Sequence, residues 1–361
     1  MSAPPVPGPT HSGGHGPYPP QRRVQESSST PAAAPRQPAS APQAPPQPAQ
    51  APRPAPTPRS PGEPAGSEPN DLSIVRRIRA GDPPLRRLWR SVSRMFTSSR
   101  ATRALADLAA EVQVPVHTGR RIAVASVQGG AGKTTVAAVL ASVFAVRRSD
   151  PVLAADADPY EGSLTWRLGA PGEPPLDRLA PDLIAARGGD LRALEPFLPR
   201  TGTGLWVLPS GTANPTLCSE VTRSLSRLFA VAVVDCPPGL ESRTAAAAMA
   251  DAHSVVLVAA ATPDGVRATY QALRRIIDSG YGSWLARVVV VLNANNADGR
   301  AALVDDAARD LIEQTGVPVV VLPYDRHLAA GALITPSRVG EATLVEATRA
   351  AALALAAARR M

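Results

Sequence analysis

Two cysteines, Cys218 and Cys236, stand in 361 residues. They are too few and too far apart for a disulfide framework or a thiolate metal site, which fits a reducing compartment. No run approaches the ~18 continuous apolar residues of a membrane-spanning helix, so none is expected. The N-terminus is proline-rich and has no apolar centre, unlike a signal peptide. A cytoplasmic location is expected on these grounds, with the chain peripheral at the inner face of the membrane if it docks there. The scarcest residue is lysine. Lys133 is the one lysine in the chain, and every other member of its 38 basic residues is arginine.

Proline is abundant, and 21 of the 40 fall within residues 1–70. This segment of Pro, Ala, Gln, Ser and Gly has few large apolar side chains and cannot bury enough surface to offset its ordering entropy. It is expected to be disordered, with polyproline II character around Pro42–Pro58. It serves either as a tether or as a strip for a proline-recognising partner.

Residues 71–119 read as a basic connector. Between residues 71 and 121 eleven arginines face only Asp71, Asp82, Asp107 and Glu111. The net charge of +8 is therefore carried by the first third of the chain, and residues 122–361 are close to neutral. Asp82-Pro83 has the form of a helix start. After it, Leu85, Leu88, Trp89, Val92, Met95 and Phe96 form one apolar stripe at helical period, with Arg86, Arg87, Arg90 and Arg94 off it. Such a stripe (residues 84–96) suits an anionic membrane surface, a partner's groove or this chain's own folded domain. The arginines would also contact DNA phosphates without sequence preference. Leu105, Leu108 and Val112 indicate a second short helix before Pro115.

The stretch around which the remainder is organised is Arg121 to Thr135, RIAVASVQGGAGKTT. A buried-strand run is followed by Gly129, Gly130, Ala131 and Gly132, then Lys133, Thr134, Thr135 and a helix-like run. Strand, glycine-rich loop, Lys-Thr and helix is the order that a phosphate-binding loop requires. Glycines let the backbone curl around phosphates, and the helix N-terminus offers N–H groups and the positive dipole end. Lys133 would reach the β- and γ-phosphates, and the Thr134 hydroxyl would ligate Mg²⁺.

Further along, apolar runs alternate with helical patterns, as βαβ units do. Val152–Ala155 ends in Asp156-Ala157-Asp158, two carboxylates at the carboxyl end of a strand, where such sheets bind ligands. Val231–Val234 ends in Asp235, an apolar run plus carboxylate suited to holding Mg²⁺. Ser254–Ala260, Val288–Leu292 and Val319–Leu322 read as further strands, Leu205–Leu208 as another, and Glu341–Arg360 as an alanine-rich helix. Residues 170–203 read as a spacer with helical patches.

The order of these motifs over residues 120–361 resembles the ParA/MinD family of deviant Walker A ATPases, with its KGGxGK[ST][ST] loop. The resemblance implies a P-loop NTPase α/β fold, with a mostly parallel twisted sheet flanked by helices, ATP and Mg²⁺ as cofactors, and a nucleotide-dependent homodimer. By the same resemblance Asp156-Ala157-Asp158 is switch I, Asp158 positions or activates the attacking water, and Asp156 and Asp235 sit at Mg²⁺. Asp235-Cys236-Pro237-Pro238-Gly239 is switch II. Asn293, Pro323 and Asp325 would lie at the adenine. Gln128 stands where the family carries a signature lysine that reaches a partner's nucleotide, so hydrolysis is expected to be slow. The arrangement of proline-rich tail, Leu85-Arg86-Arg87-Leu88-Trp89-Arg90 connector and ATPase domain further resembles the EspI-like ATPases associated with actinobacterial type VII (ESX) secretion. That resemblance implies protein partners in a membrane-associated machine. A nucleotide-binding scaffold with negligible turnover and a DNA-partition or septum-positioning ATPase are the alternative readings.

Overall fold

The computed structural model describes residues 99–160, 162–172, 174–211, 214–296 and 301–361. The expected tail (1–70) and the Leu85–Phe96 stripe lie outside the described residues.

Among the described residues seven strands form one all-parallel sheet: β1 (Arg120–Ser126), β2 (Val152–Asp156), β3 (Trp206–Leu208), β4 (Val231–Asp235), β5 (Ser254–Ala260), β6 (Val288–Asn293) and β7 (Val319–Leu322), in the order β3-β2-β4-β1-β5-β6-β7. The seven apolar runs of the sequence are these strands. They read as unbroken apolar runs because helices cover both faces of a parallel sheet, leaving no polar face to alternate with.

Successive side chains point to opposite layers. Ile122 and Val124 of β1 join one core with α1 (Ser99–Gln113), α2 (Lys133–Arg147) and the C-terminal helix, while Ala123 and Ala125 join a second core on the opposite face. That second core is closed by α4 (Leu176–Ala185), α5 (Leu217–Ser224) and α6 (Arg243–Asp251). Beyond β5 the same face is covered by α7 (Pro263–Ile276) and α8 (Ala301–Thr315). The short α3 (Leu164–Leu168) and α9 (Arg326–Ala329) follow β2 and β7, and α10 (Glu341–Arg359) closes the chain. Alanines of α10, among them Ala350, Ala351, Ala354 and Ala358, are fully buried. Their small side chains let this helix lie close to its neighbours, so its apolar stripe was faint in sequence.

The second connector helix is α1. Val112 is fully buried and Leu108 packs against the first core, so packing reaches back beyond residue 120, where sequence places the start of the nucleotide domain. Arg148, just past α2, fastens it. Its guanidinium donates to the carbonyls of Val112 (2.6 Å) and Val114 (3.0 Å) and pairs with Asp150. A helix end left without such partners exposes orphan carbonyls.

Arg148→Met removes three charged hydrogen bonds and leaves those carbonyls to water. We expect a loss of about 2–3 kcal/mol, read by denaturant unfolding, with α1 becoming sensitive to proteolysis before the sheet. His253 generates a pH dependence. Its Nδ1 accepts the Arg121 backbone N–H (3.0 Å), and burial together with the Arg121 and Arg120 charges pushes its pKa down to about 4. The unfolded chain therefore takes up a proton between the ordinary histidine value and pH 4 that the folded chain refuses, so stability falls as pH drops through that window. The loss between pH 7 and pH 5 should be smaller in His253→Asn, measured by thermal unfolding at both pH values.

Candidate nucleotide site

The loop between β1 and α2 takes its shape from glycines in the left-handed region, Gly130 (φ 75°) and Gly132 (φ 84°). At Gly132 a Cβ would lie 2.3 Å from Asn293 Nδ2, so the loop is also packed against the end of β6. There the Asn293 amide donates to the Ala131 carbonyl (3.0 Å) and to Asn295 Oδ1 (2.8 Å), and Asn295 donates to the Gly130 carbonyl (3.3 Å). Two asparagines thus hold the carbonyl side of the loop. α2 starts at Lys133, and the Val136 N–H closes its first turn on the Gly132 carbonyl. The N–H groups ahead of Val136 have no intrahelical acceptor, which is the condition for anion binding at a helix start.

Under the loop lies a buried ion pair. Lys133 Nζ is 2.8 Å from Asp235 Oδ1 and 3.5 Å from the Thr134 hydroxyl. Burial pushes the Asp235 pKa up, and Lys133 pulls it back. Asp235 Oδ2 is buried without a hydrogen-bond partner. Parallel pairing sets Asp156 beside Asp235 at the carboxyl ends of β2 and β4. Asp156 is fully buried and accepts the backbone N–H groups of Asp158 and Leu164 (both 3.1 Å). Burial and the Asp235 charge nonetheless raise its pKa to about 7. Two carboxylates strained by desolvation, one with an orphaned oxygen, and a neighbouring threonine hydroxyl are an all-oxygen donor set of the kind hard cations take. Mg²⁺ fits these residues. Among the described residues no three His, Cys, Asp or Glu side chains surround one point, so phosphate and water would complete its shell.

Asp158 follows on the same turn and is buried, and its carboxylate accepts the Tyr160 N–H (3.1 Å). Gly162 closes the turn, since a Cβ there would come within 2.8 Å of Asp156 Oδ2 and 2.9 Å of Ser210 Oγ. A cavity of about 400 Å³ opens between this turn and the first turn of α6, bordered by Asp156, Tyr160, Asn214, Cys218 and Arg243. Both cysteines are buried, and burial pushes their thiols up, Cys236 to about 12, which suits them to packing rather than chemistry.

Gly129, Gly130, Ala131, Gly132, Lys133, Thr134, Thr135, Asp156, Asp158 and Asp235 are therefore brought to one end of the sheet. Gln128 lies at the exposed rim, its amide donating to Asp264 Oδ2 (3.1 Å) on the first turn of α7. Asn293 sits at the loop as described. Pro323 follows β7, whose Leu322 pairs with Asn293. Asp325 stands two residues further on. Its Oδ1 accepts the His327 and Leu328 N–H groups, capping α9, and its Oδ2 accepts the Gly340 N–H (2.6 Å), anchoring the approach to α10. Sequence reasoning passed over Asn295 and Asp264. The closeness of Asn295 to Asn293 is visible in the chain, but its partner, 165 residues away, is not.

A glycine loop opening a helix, a buried lysine and two strand-end carboxylates on an all-parallel sheet define a P-loop nucleotide-binding protein. Residues 122–333 match the CbiA family, the CobQ/CobB/MinD/ParA nucleotide binding domain, and the chain belongs to that family. It is 31% identical over 237 residues to the ESX-1 secretion-associated protein EspI of Mycobacterium tuberculosis, a match that takes in 63% of this chain and 35% of that protein. The chain thus spans about a third of that relative. Over 130 residues it is 29% identical to an uncharacterized ATP-binding protein of Methanocaldococcus jannaschii, covering 34% of this chain and 46% of the relative. The crystal structure of the Pyrococcus furiosus cell division ATPase MinD superposes with a TM-score of 0.48 at 23% identity, covering 64% of this chain and 98% of MinD.

The buried pair sets a test. Lys133→Met leaves Asp235 without its cation and should cost about 3–5 kcal/mol in nucleotide-free protein. Lys133→Met combined with Asp235→Asn should recover most of it, because no uncompensated charge remains. Denaturant unfolding of both variants at pH 8 reads the difference.

Proposed function

We propose that this chain is an ATP-binding, slowly hydrolysing switch that regulates or positions a membrane-associated machine, with type VII secretion as the process served. The observation that carries the switch is the Lys133–Asp235 ion pair. Lys133 pairs with a carboxylate; a phosphate chain in the loop would offer it a stronger anionic partner and release Asp235. Because Asp235 leads directly into Cys236-Pro237-Pro238-Gly239, that release reaches the segment expected to sense the γ-phosphate.

The residues divide the work as follows. The loop N–H groups and Lys133 hold and orient the β- and γ-phosphates. Thr134, Asp156 and Asp235 would hold Mg²⁺, which supplies charge neutralisation at the phosphates when bound. Asp158, on the switch I turn, orients the attacking water. Asn293 and Pro323 border the adenine, with Asn293 exchanging its Ala131 contact for the base edge. Asp325 supports that edge by fixing the turn after β7. Nucleotide then favours a homodimer or a partner-binding surface, and hydrolysis resets it. The likeness to EspI, a secretion-associated protein, supports a secretion partner; a cytoplasmic chain, peripheral at the inner face of the membrane, belongs to the same proposal.

Gln128 favours a second reading, a nucleotide-binding scaffold with negligible turnover. It has no charge to offer a partner's nucleotide, and it is engaged in cis by Asp264. Removing a charge supplied in trans to a phosphoryl transition state costs about 10³-fold or more.

ATP turnover with Mg²⁺ separates the readings, using the wild type, Lys133→Ala, Gln128→Lys and Gln128→Lys/Asp264→Asn, with unfolding followed in parallel. We expect slow wild-type turnover that Lys133→Ala abolishes. Gln128→Lys alone should gain little, because Asp264 captures the new ammonium, and the double variant should gain more. Silence in the wild type with gain in the double variant would establish the scaffold. Failure of the wild type to bind ATP at all would refute both readings.

A further inference from the structure

α2 is buried along most of its length, yet Val146 on its last turn is 61% exposed. Beside it runs an apolar groove of about 260 Å³ lined by Val139, Val143, Ile334, Val339 and Leu344. Its walls are α2 and α10, with the loop that leads from α9 to α10 along the rim. The same two helices carry α1.

We propose that this groove is the docking site of the chain's own Leu85–Phe96 segment. Three observations select that occupant. Only Thr97 and Ser98 separate Phe96 from the start of α1, and two extended residues span about 7 Å, so the segment is delivered to the face where α1 packs. Its apolar residues, Leu85, Leu88, Trp89, Val92, Met95 and Phe96, recur at the period that puts them on one side of a helix, and an apolar helix side laid in a groove is a recurrent recognition mode. Its four arginines fall off that side and remain hydrated when the stripe is buried. A membrane surface would also accept the stripe, but the groove is on the same chain, at the high effective concentration of a two-residue linker. The site matters for the switch because α2 begins at Lys133: the helix whose start would receive the phosphate presents the exposed Val146 on its last turn, with Val139 and Val143 forming the groove wall behind it. Docking itself holds whether or not ATP turns over.

Trypsin provides the test, because the segment carries its own cleavage sites at Arg86, Arg87, Arg90 and Arg94, and Arg36 and Arg59 in the tail serve as internal references. On the full chain we expect cleavage within the segment to be about tenfold slower than at Arg36 and Arg59, since cleavage follows the undocked population. The groove variant Val146→Asn/Leu344→Asn and the segment variant Leu88→Ser/Trp89→Ser should each abolish that protection. The segment variant leaves the described fold untouched, so it keeps the test decisive if the groove variant lowers the melting temperature. Equal rates in the wild type would overturn the proposal, as would protection that survives both variants. Protection that fades on dilution would assign the groove to a second copy, and protection that arises only with phosphatidylglycerol vesicles would assign the stripe to a lipid surface; either result overturns docking in cis.

Discussion

The contact on which the site depends is the salt bridge between Lys133 and Asp235, formed out of reach of water. Burying a carboxylate in a parallel sheet is costly, and here two stand side by side in neighbouring strands. The lysine offsets one of them, and the other, Asp156, is held by two backbone N–H groups while its pKa rises to about 7. The arrangement makes sense as a site tuned to a polyanion and its cation. One lysine and two neighbouring carboxylates are poorly matched by themselves; a phosphate facing the lysine and a cation facing the carboxylates would match them.

The sheet creates this crowding through its topology. Parallel pairing puts all strand carboxyl ends on one edge, so residues at the ends of β1, β2, β4 and β6 converge although they are distant in sequence. Burial on both faces also explains why the strands were legible. Val231–Val234 and Val288–Leu292 are apolar throughout, and the acid or amide that ends each run marks the functional edge. The glycine loop was legible for a different reason: Gly130 and Gly132 occupy positions where a side chain would be strained, and Gly132 would also collide with Asn293.

What sequence did not disclose are contacts whose chemistry is ordinary and whose partners are remote. Asn293 and Asn295 clasp the loop carbonyls, and Arg148 reads as one more arginine until its guanidinium is seen on Val112 and Val114. Asp325 has a role that its place after the last strand did not announce: both of its oxygens accept backbone N–H groups that fix α9 and the approach to α10. Alanine-rich α10 was recognisable as a helix, but its burial was not, because small side chains give little apolar signal while allowing close packing.

The uneven use of basic residues follows from the same distinction between fixed and exchangeable contacts. Arg148 needs a planar fork to satisfy two carbonyls and a carboxylate at once, and such an arrangement is rigid. Lys133 is suited to the reverse. A compact ammonium on a flexible stem can leave Asp235 for a phosphate without reorganising a planar group in a confined loop. Gln128, one turn of the loop earlier, has neither property: it lacks charge, and Asp264 already holds its amide. Among these three residues, the exchangeable positive charge therefore rests on Lys133. Any further charge that a phosphoryl transfer at this site would need has to come from an arginine of this chain, from a second copy or from a partner.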